Sequence, residues 1–544
     1  MSPHDHLQLT LTYHERTKHR LDGYARSPGH LDWATQPDPF RTYAGAAIVE
    51  LPLVADLLTT RYSDLFQVER VRPAPLDLMS IAALFELGMG ISAWKQYESS
   101  RWALRCNPSS GNLHPTESYA ILPSLPGIEA GVYHYLSRDH CLEKRCGFDQ
   151  SPALPPGTFV VGLSSIHWRE AWKYGERAFR YCQHDAGHAI ATLRYAAAAL
   201  GWSAVLLDDL SDAELACWLG IDRVSDFSTL APADREHPDL ALFLYPGTSA
   251  PTIPSLPDSL FRRAVWSGTP NPLSPSHVRW EVIDEVAEST RKSASTRAER
   301  QAATRLPDLC HSSDAPAVNV IRQRRSCLSL DGASAIPAAT FYAMLDHLLP
   351  RPGVTPWDLI PWPATLHLAI FVHRVRDLAP GLYLFERNER THDRLREATR
   401  KEFLWNHPQG CPEHLRLFLL AEGDFLEVSR TVSCHQEIAS DGAFSLGMIA
   451  DFEPTIRSRG AQWYRRLFWE SGVLGQTLYL EAEAAGMGST GIGCYFDDAV
   501  HQVLGLKDNQ FQSLYHFTVG RPVEDPRLTT LPAYAHLVGR RQGG

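Results

Sequence analysis

The chain has no run of about 18 apolar residues, and its start, MSPHDHLQLTLTYHERTKHR, lacks the apolar core of a secretory signal. Neither a membrane-spanning helix nor export is expected, and the default location is the cytoplasm. No Cys-x-x-Cys pair occurs among the ten cysteines, so zinc-ribbon, iron–sulfur and dithiol readings fall away and scattered, reduced core thiols are expected. An excess of positive charge is missing too. With 52 Lys and Arg against 62 Asp and Glu the net charge is −10, which argues against a nucleic-acid partner. His184 and His188 stand at helical spacing, but Asp185 follows the first histidine where a metalloprotease H-E-x-x-H has glutamate, and no metal is expected.

What is present is the composition of an ordinary folded chain: 44% hydrophobic, 10% aromatic and 21% charged residues over 544 positions. That length calls for two or three domains. Self-comparison shows where they come from. Glu15-Arg16-Thr17-Lys18 followed by Leu21-Asp22-Gly23 matches Arg324-Arg325-Ser326-Cys327 followed by Leu330-Asp331-Gly332 without a gap. Gly131-Val132-Tyr133-His134-Tyr135 matches Gly381-Leu382-Tyr383-Leu384-Phe385, both alternating as strands do. The helical segment from Phe179 to Trp202 aligns without gaps on Tyr464 to Met487, bringing Arg180 onto Arg465, Gly187 onto Gly472 and Gly201 onto Gly486.

Two α+β halves are therefore expected, residues 1–250 and 316–544, joined by a proline-rich and helical linker over 251–315 and packed as an intramolecular pseudo-dimer with a site at the interface. The linker reads as an extended crossing followed by a solvated helix.

The first half contains a turn-rich run, Arg105-Cys106-Asn107-Pro108-Ser109-Ser110-Gly111-Asn112-Leu113-His114-Pro115-Thr116-Glu117, which gathers hydroxyls, backbone N–H groups and an amide on one loop suited to a flat heteroaromatic ligand. In the second half Arg324-Arg325-Ser326 joins two cations and a hydroxyl, chemistry suited to a terminal phosphate. Gly486-Met487-Gly488-Ser489-Thr490-Gly491 fits G-x-G-x-x-G, but it follows a helix and precedes a strand, the reverse of the dinucleotide fingerprint.

Together these features resemble the FMN-dependent nitroreductase superfamily, and within it the SagB-type azoline dehydrogenases of thiazole/oxazole-modified peptide biosynthesis. The resemblance spans both halves. It rests on Arg324-Arg325-Ser326, Pro108 to Glu117, Lys173-Tyr174-Gly175-Glu176-Arg177-Ala178-Phe179-Arg180 with Ala186-Gly187-His188, Gly491 to Asp498 with Leu504-Gly505-Leu506, and Val519-Gly520-Arg521-Pro522.

The resemblance implies one composite FMN site. Arg324, Arg325, Ser326 and Arg521 would face the phosphate, and Arg105 with Pro108, Ser109, Ser110, Gly111 and Asn112 would supply the isoalloxazine loop. Gly491 and Gly493 would give backbone donors at the ring edge. The mirror site is expected to be degenerate, because the second half has PRPGVTPWDLIPWPATLHLAIF in place of the loop and the first half has Glu15-Arg16-Thr17 in place of Arg-Arg-Ser. Lys173 and Tyr174 match the adjacent Lys-Tyr pair of azoline dehydrogenases, while the second half has Ser458-Arg459 there.

The implied activity is desaturation of a thiazoline, an oxazoline or another C–N heterocycle, with hydride passing to the flavin and dioxygen as electron acceptor. The substrate would be a small molecule or a modified peptide, handled with or without biosynthetic partner proteins. Lys173 would draw the Tyr174 phenol towards working pH, or act as the base itself. An NAD(P)H-dependent nitro, quinone or enone reductase and a non-catalytic scaffold are the alternatives.

Overall fold

The structure is a computed structural model that describes residues 2–253, 255–295, 306–309 and 313–537. Two antiparallel sheets repeat one strand order. In the first half Cys141–Gly147, Gly131–Leu136, Thr116–Leu122, Phe159–Ser165, His237–Pro246 and Trp202–Leu206 lie side by side. In the second, Leu417–Glu422, Gly381–Phe385, Leu366–Val372, Phe444–Asp451, Phe511–Gly520 and Gly488–Ile492 follow the same sequence. The central strands of both sheets are buried along their lengths, as continuous apolar stretches require. The expected α+β fold with two similar halves is borne out.

Each half contributes a 22-residue helix, Ala178–Ala199 and Trp463–Ala484. Every residue of the first is buried, so it is a core helix and not an amphipathic surface helix. The two helices cross at the aligned glycines. A Cβ built on Gly472 would lie 2.3 Å from the His184 carbonyl oxygen and 2.7 Å from Gly187 Cα, and one on Gly187 would lie 2.3 Å from the Trp469 carbonyl oxygen. The obstacles are backbone, so neither helix can yield by a rotamer change. Gly472→Val is expected to cost about 3 kcal/mol or more through overpacking. An unchanged melting temperature in thermal denaturation would contradict this crossing.

The termini are exchanged between halves. Helix Pro3–Arg16 reaches the second half, where the His14 ring meets Gln512 Oε1 at 3.2 Å and Tyr464 OH at 3.4 Å. In return Thr529–Pro532 pairs with Ile91–Tyr97 of the first half. Buried Asp497 of the second half accepts from Arg177 Nη1 at 3.0 Å, Arg180 Nη1 at 2.9 Å and the His19 N–H at 2.9 Å, all from the first.

The stretch read as an extended crossing and solvated helix is packed instead. Val265–Trp266 extends the first sheet beside Cys146 and Gly147, Thr269–Pro270 pairs with Tyr43–Ala44, and helix Glu281–Ser289 buries Val282, Ile283 and Val286. Its apolar positions recur at helical spacing, which gives it a face to bury. Residues 296–305 of that stretch lie outside the described residues.

Inside the first sheet, His134 is held between Glu117 Oε2 at 2.9 Å and Glu143 Oε2 at 2.8 Å. Burial opposes the charge, yet the hydrogen bonds to both carboxylates lift the imidazole to about 9. The raised folded-state value means that this stabilisation is complete below the ordinary histidine value near 6.5 and is lost as pH rises through about 9. Wild-type stability is therefore expected to decline from pH 7 to pH 9 in urea titrations. In His134→Gln that decline flattens; an identical slope in the variant would count against the clamp.

Candidate active site

Arg324-Arg325-Ser326 follows the helix Ala317–Gln323 and is stitched to the glycine-rich strand of its own half. The Cys327 N–H donates to the Ser489 carbonyl at 3.0 Å, and Thr490 Oγ1 donates to the Cys327 carbonyl at 2.6 Å. Tyr479, from the second long helix, joins both pieces: its hydroxyl lies 2.7 Å from Ser326 Oγ and accepts from the Gly491 N–H at 2.8 Å. Arg324 lies over the Tyr479 ring, 5.0 Å from its centroid.

Arg324 also crosses to the other half, where its Nη2 donates to the carbonyls of Arg105 at 2.8 Å and Cys106 at 3.1 Å, at the head of the serine-rich loop. Arg325 Nη2 donates to the Ser92 carbonyl at 3.3 Å. Neither guanidinium has an ion pair among the described residues, and Arg324 Nε has no hydrogen-bond partner there. Burial lowers the pKa of both, that of Arg325 to about 10. Two largely buried cations without a counter-ion are costly alone and favourable beside a bound anion.

The loop is fastened from behind by a carboxylate. Asp185 of the first long helix accepts from the Ser110 N–H at 3.0 Å and from Ser110 Oγ at 3.1 Å. Burial pushes this carboxyl up to about 7, against the hydrogen bonds from Ser109 and Ser110. Ser109 Oγ accepts the His114 N–H at 2.8 Å, and Asn112 Nδ2 donates to the Ala103 carbonyl at 2.9 Å. Pro108 is buried at the loop's base. Gly111, at φ +58°, is the exposed tip.

Lys173 and Tyr174 end the helix His167–Tyr174 and meet that tip. A Cβ on Gly111 would lie 2.6 Å from Tyr174 OH and 3.2 Å from Lys173 Nζ. Gly111→Ala is therefore expected to displace both side chains and to strain the left-handed turn by roughly 1 kcal/mol. Activity falling with little change in melting temperature would be the signature; retained activity would show that the contact does not matter.

The expectation that Lys173 draws the Tyr174 phenol downward is corrected. Burial, then the electrostatic influence of Glu170, Tyr181 and Asp185, push it well above the ordinary tyrosine range. Tyr174 packs on Tyr181, with ring centroids 4.5 Å apart, and stays protonated.

Three residues sit differently from the others. The Arg105 guanidinium is committed to the carbonyls of Pro39 at 2.6 Å and Thr116 at 3.3 Å, so only its backbone carbonyl touches Arg324. Arg521 is exposed; its carbonyl accepts from the Asp331 N–H at 3.0 Å. The Gly493 carbonyl accepts from Tyr181 OH at 3.1 Å and Arg177 Nη2 at 3.4 Å. His184 and His188 are turned to the Leu514 carbonyl and the Tyr515 hydroxyl, at 3.0 and 3.2 Å.

At the mirror position the chain fills the strand end, while the mirror loop lines a cavity of about 420 Å³ beside Trp357, Trp362 and Arg387. Extending the helix alignment puts Leu206 on Gly491 and Asp208 on Gly493. The Asp208 carbonyl accepts from Lys292 Nζ and, at 3.5 Å, from Arg466 Nη2. Arg466 in turn lies over the Trp362 and Trp463 rings, 5.1 and 4.8 Å from their centroids. The void left beside Leu206, Asp208, Lys292, Arg466 and Trp469 is about 20 Å³. Arg16, aligned in sequence on Arg325, does not lie at this position: it is beside the start of the first long helix, bound by both oxygens of Glu176 at 2.7 and 2.6 Å, so the expected correspondence of Glu15-Arg16-Thr17 with Arg324-Arg325-Ser326 does not hold in space.

The motifs missed Tyr479, Asp185 and Glu170. A signal for Tyr479 was present in the duplication: its aligned residue is Arg194, which pairs with Asp358 at 2.6 Å. Asp185 aligns on Glu470, which likewise binds the equivalent loop of its own half through Thr365, at 3.1 Å to the N–H and 2.6 Å to the hydroxyl.

Residues 321–521 match the family profile described as the Nitroreductase family. The nitroreductase candidate MJ1384 of Methanocaldococcus jannaschii is 24% identical over 152 residues, covering 26% of this chain and 73% of that protein. The trifolitoxin-processing protein TfxB of Rhizobium leguminosarum bv. trifolii is 33% identical over 120 residues, 19% of this chain and about a third (32%) of TfxB's length. A solved structure of a nitroreductase candidate from Anabaena variabilis superposes with a TM-score of 0.68 at 22% identity, covering 95% of this chain and 99% of that one, which shows a shared fold. No helix among the described residues is long and apolar enough to cross a membrane. Residues 321–521 thus match a nitroreductase-family model, within a chain of which 95% shares the fold of the Anabaena protein.

Proposed function

We propose that the chain is an FMN-dependent dehydrogenase that desaturates a thiazoline- or oxazoline-like C–N heterocycle, on a modified peptide in preference to a free small molecule. The observation that carries this reading is the convergence on one loop: the unpaired cation Arg324 at its head, with Arg325 next to it in sequence, and Lys173 and Tyr174 at its tip. The likeness to TfxB supports the peptide substrate. FMN fits the donor set, since a phosphate would supply the counter-charge that Arg324 and Arg325 lack and Ser326 would add a hydroxyl donor. When bound, FMN supplies a hydride acceptor.

The chain's own part is positioning and proton handling. Asp185 holds Ser110 and so fixes the loop that would line the flavin ring. Tyr174, kept protonated, offers a hydrogen-bond donor to the ring heteroatom of the substrate. Lys173, in its neutral amine form, would then be the group that takes the proton released from carbon. The filled strand end at the mirror position supports one flavin per chain.

The test is anaerobic mixing of the flavin-loaded protein with a thiazoline-bearing peptide and, separately, with NADPH. Bleaching of the flavin by the peptide and not by NADPH is expected. Bleaching by NADPH alone would replace this reading with a reductase.

A further inference from the structure

We infer that Cys434 and Cys494 form a hydroperoxide-reactive dithiol, an oxidisable site independent of whether the protein binds flavin. The cysteines are sixty positions apart in sequence, yet their Sγ atoms lie 2.7 Å from each other. Both are free and partly exposed, whereas Cys106, Cys141, Cys146, Cys182, Cys217 and Cys411 are buried.

The backbone is shaped to make this meeting. Cys434 and His435 are consecutive non-glycine residues in the left-handed region, at φ +56° and +59°, a conformation that persists only where surrounding contacts impose it. Those contacts are present. Gln436 Nε2 donates to the Ser433 carbonyl at 2.8 Å and to the Cys494 carbonyl at 2.9 Å, and the Phe496 N–H donates to the Val432 carbonyl at 2.8 Å. Two segments of the second half are thus clamped so that one sulfur faces the other.

The surroundings divide the roles of the two sulfurs. Cys494 shares its hydrogen bond with Cys434 and lies near the His19 ring and in the field of the Arg177 guanidinium, so it is drawn well below the ordinary thiol range against the opposing effect of burial. His19 Nδ1 already accepts the Ala25 N–H at 2.9 Å, which leaves the Nε2–H to donate. Cys434 is pushed the other way, by its hydrogen bond to Cys494 and by burial. Asp497, Tyr24, Tyr181 and Tyr174 are further titratable neighbours, and the Asp497 carboxylate is already bound by Arg177 and Arg180.

A thiolate with a resolving thiol in contact is the arrangement that reacts with peroxide and then closes. The Cys494 sulfur attacks one peroxide oxygen; the O–O bond breaks and the other oxygen, taking a proton, leaves as water or an alcohol. The Cys434 sulfur then attacks the resulting sulfenic acid. The S–O bond breaks, an S–S bond forms, and hydroxide leaves with the Cys434 proton as water. The two thiols lose two electrons in all, and the hydroperoxide gains them.

The experiment uses the full chain, reduced and freed of reductant, titrated with hydrogen peroxide and read by intact mass and peptide mapping. The expected product has lost two hydrogens and carries one cross-link, Cys434 to Cys494. Cys434→Ser is expected to accumulate a dimedone-trapped sulfenic acid on Cys494, and Cys494→Ser to give neither a cross-link nor an adduct at Cys434. Circular dichroism checks that both serine variants fold. Peroxide that leaves these two thiols free, or an adduct on Cys434 in Cys494→Ser, overturns the proposal.

Discussion

Replacing Lys173 with alanine is expected to lower turnover of an azoline substrate by about 10² to 10⁴-fold, the usual contribution of a positioned proton acceptor, while flavin content stays at the parent level. The residue ends a helix at the loop tip, 3.2 Å from where a Gly111 Cβ would be, and is remote in sequence from Arg324 and Ser326. Removing it therefore withdraws a proton acceptor without touching the anion site. Because Tyr174 stays protonated, Tyr174→Phe removes a donor and not a base, and its loss is expected to be smaller. Two readouts separate chemistry from structure. Exogenous methylamine should restore part of the rate in Lys173→Ala and nothing in Tyr174→Phe, and the melting temperatures of both should match the parent. Equal, unrescued losses would assign the pair a packing role.

Asp497→Asn is expected to destabilise the molecule by about 3–5 kcal/mol, because it leaves two buried guanidiniums without their counter-charge. Asp497 belongs to the second half, whereas Arg177, Arg180 and the His19 N–H belong to the first. The loss should thus loosen the halves from each other, visible as an earlier first phase in urea unfolding. Burial opposes the carboxylate, but Arg177 and Arg180 outweigh it and hold Asp497 below the usual aspartate range. A depressed folded-state value contributes stability that is present above the unfolded value near 3.9 and is lost as pH falls through the folded one. Wild-type stability should accordingly drop in that acid window, and Asp497→Asn should lack that part of the drop. A variant as stable as the parent at pH 7 would contradict the buried triad.

The duplication was legible because both halves kept what packing demands. Gly187 and Gly472 survive since a Cβ at either meets backbone, and the paired strands beginning Gly131 and Gly381 keep their alternation because both lie inside sheets. The serine-rich loop and Arg324-Arg325-Ser326 were legible as chemistry. Their stitching was not, because Asp185 and Tyr479 lie one in each of the two long helices, whose patterns read only as buried. Arg105 belongs to the loop by sequence, yet its side chain turns to Pro39 and Thr116, a contact that no local pattern encodes.

The ionisation of Tyr174 was misjudged for a related reason. Sequence shows the adjacent lysine but not the carboxyls of Glu170 and Asp185 or the burial that outweighs it. The cysteine pair escaped because motif spacing is local, whereas Cys434 and Cys494 meet through a turn and a strand end sixty residues apart. The linker composition hid an apolar helix face, which packs because Val282, Ile283 and Val286 have somewhere to go.

The central claim is one composite flavin site assembled from both halves. It is tested most directly by releasing and quantifying the flavin of the purified protein, before and after reconstitution with FMN, for the parent and for Arg324→Ala. The account predicts about one FMN per chain in the parent and a large loss in Arg324→Ala. A ratio near two would mean that the position filled by Lys292 and Arg466 also binds flavin, and a parent that stays colourless after reconstitution would contradict the site itself.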